Sequence, residues 1–277
     1  MGKSNKIHNL SVNEIKKLQN IELELLIEFD RICRKHNITY SIDGGTLLGA
    51  VRHGGFIPWD DDADVILNRK EYEKFLLVVD QELNKDKFYF QDLNRTTGYR
   101  WGYGKLRRAN TEFVRLNQEY MPYEQGIFLD VFVCDNVPDN YLLRCICNFN
   151  SFIFRKIFYS KVGKHTAVGI DKLIYRILEL IPEKSIKKIY AKYVKFRNMK
   201  STEMVKCLTF PACNRVYGYK RKWYEDTIDM KFEGITLRAC RDYDEYLRFL
   251  YGDYLKLPPV EKRKVHPVSK LRFPEDK

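Results

Sequence analysis

The 277-residue sequence has no apolar run long enough to cross a bilayer. A spanning helix needs about 20 predominantly apolar residues. The longest apolar stretch, Cys145 to Phe154, is interrupted by asparagines and bounded by Arg144 and Arg155. The N-terminal MGKSNKIHNL also lacks the apolar segment of a secretory signal, and Lys6 stands where N-myristoylation requires Ser or Thr. There is no repeated C-x-x-C framework, and the seven cysteines, at 33, 134, 145, 147, 207, 213 and 240, are odd in number. That pattern argues against a disulfide-stapled secreted domain, gives little support to a structural zinc, and fits reduced, mostly buried thiols. Acidic residues are in deficit, 37 Asp plus Glu against 49 Lys plus Arg, for a net charge of +12. With 44% hydrophobic and 14% aromatic residues the chain reads as folded rather than disordered. The expectation is a cytoplasmic protein, one large domain or a domain with an insertion, that meets a membrane only peripherally on its inner face.

What is present is most concentrated between Asp43 and Val65, DGGTLLGAVRHGGFIPWDDDADV. Asp60, Asp61, Asp62 and Asp64 place four carboxylates within five residues, and like charges so close must be protonated, solvated or neutralised by an ion. If Asp62 begins a strand, the period of two projects Asp62 and Asp64 from one face and Ala63 and Val65 from the other. Oxygen ligands with no thiolate or imidazole cluster beside them suit Mg2+ or Mn2+. Gly44 and Gly45 allow a tight turn, and a following helix over roughly Thr46 to Arg52 aims free N–H groups at an anion. The pattern predicts a phosphate cradle beside a metal site; the bland alternative is a solvated acidic loop after an ordinary glycine turn.

The string GGTLLGAVRHGGFIPWDDDADV resembles the LicD family of the nucleotidyltransferase superfamily, which includes phosphocholine transferases and fukutin-related transferases. A second segment, FEGITLRACRDYDEYLRFLYGDYLKLPPVEKRKVH, resembles the same family in its Phe-Glu-Gly, Tyr-Gly-Asp-Tyr and Leu-Pro-Pro and in His266, with Cys240 departing from a common proline. The resemblance implies an α+β, α/β-like fold, a nucleotidyltransferase-type mixed sheet with packed helices. It makes Gly44 and Gly45 the turn, Asp62 and Asp64 the metal-bearing and catalytic pair, and Asp130 the third catalytic and metal carboxylate, with Asp60 joining as a ligand. Asp130 sits amid the apolar run Gly126 to Val133, where a lone carboxylate is costly to bury without a cation.

Along the chain, Ser11 and Glu14 have the form of a capping box, and Ile15, Leu18, Ile21, Leu25 and Ile32 repeat at helical spacing, predicting a helix from about 12 to 36. Residues 38–42 read as a strand into the glycine turn, Val65–Leu67 as the end of the aspartate strand, Asn68 as the cap of a helix to about Leu83, and 88–90 as a strand. Trp101 to Arg115 reads as a hairpin whose Lys105 and Arg107, with Arg108 and Arg115 as weaker candidates, would contact a pyrophosphate. Trp101, Tyr103, Tyr120 and Tyr123 offer an aromatic cage for a quaternary ammonium, against core packing as the default. Asp135 and Asp139 are expected in the turn that ends the Asp130 strand. Residues 205–210 and 230–237 return to strand composition.

Residues 139–200 differ from the rest. They hold 14 Lys plus Arg against 4 Asp plus Glu, and Ile170–Ile181 and Ser185–Phe196 read as amphipathic helices split by Pro182. A basic helical insertion of this kind fits an anionic membrane surface or an anionic acceptor, or is a plain solvated insertion; nucleic acid is less favoured, no recognition motif being present. The expected organisation is a catalytic core over 1–138, the insertion over 139–200 and the end of the catalytic domain over 201–277.

The resemblance implies a metal-dependent phosphotransferase moving phosphocholine from CDP-choline to a hydroxyl of a cell-surface glycan, such as a teichoic acid, lipopolysaccharide or capsule precursor, free or lipid-linked, with release of CMP. Gly44, Gly45, Thr46, Arg52, Trp101, Lys105, Arg107 and His266 would contact substrate. The alternatives are a CDP-ribitol or CDP-glycerol transferase, a true nucleotidyltransferase, or a non-enzymatic protein of the anionic membrane surface.

Overall fold

The computed structural model describes residues 7–211, 214–263 and 265–276. Cys213 and residues 1–6 lie outside these; the other six cysteines are free thiols. Helix α1 (Val12–Lys35) begins where the capping box predicts: the Glu14 N–H donates to Ser11 Oγ at 3.3 Å and the Ser11 N–H donates to Glu14 Oε2 at 2.8 Å. Its stripe of Leu18, Leu25, Phe29 and Ile32 is buried in the main core, with Phe29 against Phe75 of α3 (Arg69–Glu82), ring centroids 4.9 Å apart.

Between these helices run β1 (Ser41–Ile42), α2 (Gly44–His53) and β2 (Ala63–Asn68). After α3 come β3 (Phe88–Gln91), β4 (Gly104–Arg108), β5 (Glu112–Arg115) and β6 (Phe128–Val137). Three helices follow, α4 (Tyr141–Thr166), α5 (Gly169–Glu179) and α6 (Glu183–Arg197). The chain ends through β7 (Met204–Lys206), β8 (Tyr219–Lys220), α7 (Lys222–Glu225), β9 (Thr227–Phe232), β10 (Ile235–Cys240), α8 (Tyr243–Tyr251) and β11 (Val268–Arg272).

The main sheet runs β3-β4-β6-β2-β1-β10-β9, with β7 and β8 extending from the end of β6. It is mixed: β2 with β6 and β1 with β10 are parallel, the other pairs antiparallel. The α+β class read from the sequence is the class observed. Period-two alternation sorts its faces: Ala63, Val65, Leu129 and Val131 enter the core, while Asp64 and Asp130 are neighbours on the other face. Residues after 200 return to the same sheet through β7, β9 and β10, so the strands on either side of the helical segment share one scaffold. A second core cluster, including Cys147, Phe154, Phe158, Ile186 and Tyr190, holds α4 and α6 together against Val137 of β6.

Several expectations are corrected. Trp101 to Arg115 is not a hairpin: β4 pairs with β3 and β6, and β5 pairs with β11 from the far end of the chain. Asp135 lies within β6, fully buried, and pairs with Arg69 Nε at 2.7 Å rather than in a turn. Asn68 stands at the N-cap position of α3 as expected, but its side chain makes no cap bond and its amide donates to Glu225 at 2.8 Å. The strand expected over 38–42 shortens to two residues and that over 205–210 to Met204–Lys206, while 230–237 divides into the β9–β10 hairpin. The basic segment holds three helices rather than two, because the asparagines that break the apolar run of 145–154 do not break α4.

Candidate active site

The aspartates converge through strand register. β2 and β6 are parallel with Asp64 directly beside Asp130, and Asp62 immediately precedes β2 on the same side. Ligand oxygens of Asp62, Asp64 and Asp130 all lie within 4.8 Å of one another. The same alternation on β4 sets Lys105 opposite Asp130, and its Nζ forms a buried ion pair with Asp130 Oδ1. The Asp64 N–H donates to Thr46 Oγ1 at 2.8 Å and the Asp43 N–H to the Asp64 carbonyl at 3.0 Å, so α2 locks the strand from its start.

Gly44 and Gly45 are needed for the carboxylates as much as for a turn. Gly44 has φ of +53°, and a Cβ there would lie 3.2 Å from Asp64 Oδ2; a Cβ on Gly45 would lie 2.6 Å from Asp60 Oδ2. Both glycines belong to the first turn of α2 rather than preceding it, and both line the cleft, so the positive end of α2 faces the aspartates.

Burial, then the charges of Asp62 and Asp130, push the Asp64 carboxyl well above the ordinary carboxylate range. Asp62 is raised mainly by burial, and Asp60 is pushed up to about 8 by burial and by Asp62 and Asp61. Burial lowers Lys105 to about 7 although the Asp130 charge opposes the shift. The Asp64 carboxylate makes no hydrogen bond or ion pair among the described residues, and Arg115 stops 3.9 Å from Asp62 Oδ2. Three converging carboxylates, under-neutralised and with oxygen donors only, fit a hard divalent cation such as Mg2+ or Mn2+.

Other expected site residues are placed as follows. Thr46 is buried and serves Asp64 rather than opening to substrate. Arg52 lies at the far end of α2, where it donates to the Tyr254 carbonyl at 2.9 Å and does not line the aspartate cleft. Asp60 sits beside Gly45, outside the group formed by Asp62, Asp64 and Asp130. Arg107 is buried, bound to Gln91 Oε1 at 2.6 Å and to the Gly126 carbonyl, and Arg108 turns away to Glu24. His266 reaches the site: its N–H donates to Asp61 Oδ2 at 2.8 Å, and Nδ1 lies 3.2 Å from Asp61 Oδ1 and 3.6 Å from Asp62 Oδ2. Buried Asp61 thus ties the chain before β11 to the aspartate loop.

The cleft of about 260 Å³ around the triad shares Tyr103, Arg115 and His266 with a neighbouring cavity of about 380 Å³, which Lys105, Arg107 and Trp101 also line. Lys105, Arg107 and Arg115 surround the Phe128 ring, at 3.3, 5.4 and 5.4 Å from its centroid. Arg115 Nε is buried without a hydrogen-bond partner, which leaves this guanidinium with donor capacity beside Asp62. Another cavity, about 890 Å³ between α3 and α6, meets the aspartate cleft only at Tyr103 and Cys134 and contains none of the triad.

The aromatic cage is not assembled as expected. Trp101 packs near Tyr159, Tyr123 against Tyr99 and Tyr120 against His165, and of the four only Tyr103 lines the aspartate cleft. The aromatic wall there comes instead from the C-terminal segment, Tyr219, Tyr224, Tyr246 and Tyr251. Sequence reading also passed over Glu22, buried on the apolar stripe of α1, with Oε2 unpaired and its carboxyl raised by burial and by Asp62, Asp61, Asp60 and Asp130.

The mixed sheet presents two carboxylates at the start of one strand and a third on its parallel neighbour, the arrangement expected of a nucleotidyltransferase-type site. Residues 37–161 match the family model described as "LicD/FKTN/FKRP, nucleotidyltransferase domain", and that stretch is a domain of this family. Over 274 residues, 92% of this chain and 96% of the relative, the sequence is 28% identical to the lipopolysaccharide cholinephosphotransferase LicD of Haemophilus influenzae. It is 27% identical over 118 residues to an uncharacterized protein of Rickettsia prowazekii, covering 43% of this chain and 40% of that one. An uncharacterized protein of Rickettsia typhi is 41% identical over 58 residues, 21% of this chain and 19% of its own length.

Proposed function

We propose that the protein is a divalent-metal-dependent phosphotransferase that moves phosphocholine from CDP-choline to a hydroxyl of a cell-surface glycan or its lipid-linked precursor and releases CMP. The observation that carries this reading is the convergence of Asp62, Asp64 and Asp130 within 4.8 Å at the mouth of a cleft walled by tyrosines. The name of the Haemophilus influenzae relative, a lipopolysaccharide cholinephosphotransferase, supports the transferred group and the kind of acceptor.

Asp62, Asp64 and Asp130 would hold Mg2+ or Mn2+, which when bound neutralises charge on the pyrophosphate oxygens and on the leaving group. Arg115, with its unpaired Nε, grips the donor phosphate from the side of the basic cavity. The N-terminal turn of α2 adds backbone donors at Gly44 and Gly45. The acceptor oxygen attacks the phosphorus that bears choline, the bond from that phosphorus to the bridging oxygen breaks, and CMP departs. Asp130 accepts the proton of the acceptor hydroxyl, and Lys105 keeps its carboxylate oriented. Choline fits the tyrosine wall, where aromatic faces and nearby carboxylates both attract a quaternary ammonium.

The test is CMP release from CDP-choline, followed with glycan-lipid extract as acceptor, in Mg2+ and in EDTA. Metal-dependent release, coupled to phosphocholine on the acceptor and lost in Asp62→Asn, is expected. Turnover that persists in EDTA would overturn the metal reading. Release of pyrophosphate, or activity only with another CDP-alcohol, would overturn the transferred group while leaving the aspartate site in place.

A further inference from the structure

We propose that α5, together with the N-terminal half of α4, docks the protein on an anionic lipid surface. More than half of the large hydrophobic side chains that stand exposed among the described residues fall between 139 and 200. On α5 they form one stripe: Ile170, Leu173, Ile174 and Ile177 follow the i, i+3, i+4, i+7 spacing and are 75, 56, 45 and 58% exposed. The helix is seated by a different face, through Tyr175, which is 7% exposed and lies over Gly163 of α4, and through Leu178 on the second core cluster. The stripe is therefore not the helix's attachment to the fold, and no described residue covers it. Leu142, Leu143, Ile146 and Phe149 extend apolar exposure along the first half of α4.

Charge identifies the occupant. Residues 139–200 carry 14 basic and 4 acidic side chains, and the ion pairs formed there engage Lys161, Lys164 and Lys187 with Glu179 and Glu183. Lys172 and Arg176 on α5, and Lys184, Lys188 and Lys192 on α6, make no ion pair among the described residues. A second copy would bring the same positive charge to the contact and be repelled, whereas anionic headgroups complement it while their acyl region takes the apolar stripe. No described helix is long and apolar enough to cross the bilayer, so the contact lies in the interface plane. An aromatic cavity of about 370 Å³, lined in part by Phe152, Tyr159, Tyr175 and Phe210, lies between these helices and the aspartate cleft, which shares Tyr103 and Phe210 as walls. Docking through α5 holds that cleft near lipid-borne acceptors, but the binding itself does not depend on the chemistry at the aspartates.

The experiment is flotation of the full chain with vesicles of phosphatidylcholine alone and of phosphatidylcholine with phosphatidylglycerol. Wild-type protein is expected to float with the anionic vesicles only, and to be released as salt is raised. An Ile174→Asp/Ile177→Asp double variant should lose binding by roughly tenfold or more, since two apolar contacts leave the interface and two negative charges enter it. A Lys172→Glu/Arg176→Glu variant should lose it while keeping the apolar stripe. Both pairs are surface positions, and thermal melting checks that each variant is folded. Equal binding to neutral vesicles, no flotation by the wild type, or unchanged flotation of the folded Ile174→Asp/Ile177→Asp variant would overturn the proposal. So would a wild-type dimer that this variant converts to monomer, because the stripe would then be a contact between copies.

Discussion

Asp64 on β2 and Asp130 on β6 are register partners on adjacent parallel strands, so their side chains leave the sheet side by side on one face. With Lys105 committed to Asp130 and no cation among the described residues paired to Asp64, the carboxylates keep unbalanced negative charge. Asp64→Asn should therefore act in opposite directions on two readouts. Activity should fall by roughly a thousandfold or more, as expected when a transition-state charge clamp is lost. Melting temperature of the metal-free protein should rise, because the substitution removes a half-buried carboxylate whose ionisation its neighbours oppose. A variant that loses activity and also loses metal-free stability would show that Asp64 serves the fold rather than a cation.

The raised carboxyls give a pH dependence of defined sign. Asp60 rises from an ordinary value of 3.8 to about 8, and Asp62 and Asp64 move in the same direction. Between the unfolded and folded values the folded chain binds more protons than the unfolded one, so its stability is full below the unfolded value and is lost as pH rises through the folded value. A divalent cation replaces those protons. Scanning fluorimetry at about pH 5 and about pH 8 should show the metal-free protein melting lower at the higher pH, with Mn2+ raising the melting temperature more there. A cation effect that is larger at the lower pH would place the metal elsewhere.

How far the sequence reveals this site depends on whether a residue's role is local. The capping box at Ser11, the helical stripe of α1 and the alternation of Asp62 and Asp64 against Ala63 and Val65 are fixed by neighbours within a few positions, and all were legible. Lys105 was read only as a phosphate contact; its ion pair with Asp130 depends on β4 lying beside β6, a pairing between residues 25 apart that no local pattern reveals. The supposed hairpin failed for the same reason, since β5 finds its partner in β11, with Leu271 opposite Phe113. The tyrosine wall is assembled from residues around 219–251 against a turn at 44, so no window of sequence contains it.

Tyr251 stands at the open side of that wall, 46% exposed, with its hydroxyl 3.9 Å from where a Cβ on Gly44 would sit. If the ring faces take the choline group, Tyr251→Ala should raise KM for CDP-choline by about 3- to 30-fold, the range that a cation–π contact supports, with kcat less affected. The control is CDP-ethanolamine, whose primary ammonium gains less from an aromatic wall; its KM should move less. An equal rise for both donors would assign Tyr251 to the nucleotide or to the fold.

Glu22 supplies the last prediction. It is 1% exposed on α1, its Oε2 has no hydrogen-bond partner, and its carboxyl is raised first by burial and then by the aspartates at 62, 61, 60 and 130. An ionised carboxylate in that position, with one oxygen unpaired and like charges nearby, is disfavoured, so burial and the aspartates shift Glu22 toward its protonated form. Its neighbour one helical turn earlier, Gln19, donates to the carbonyls of Ile57 and Asp60 at 3.1 and 3.0 Å, so this part of α1 supports the loop that carries the aspartates. Glu22→Gln preserves the shape and the neutral state. It should leave metal-dependent activity within about threefold of wild type and extend stability to higher pH, because the proton that wild-type Glu22 loses no longer exists to be lost. Glu22→Ala should cost about 1–3 kcal/mol by opening a buried space beneath the loop. Urea melts of both variants at two pH values separate these outcomes; a large loss of activity in the folded Glu22→Gln protein would instead make the ionised carboxylate a working member of the site.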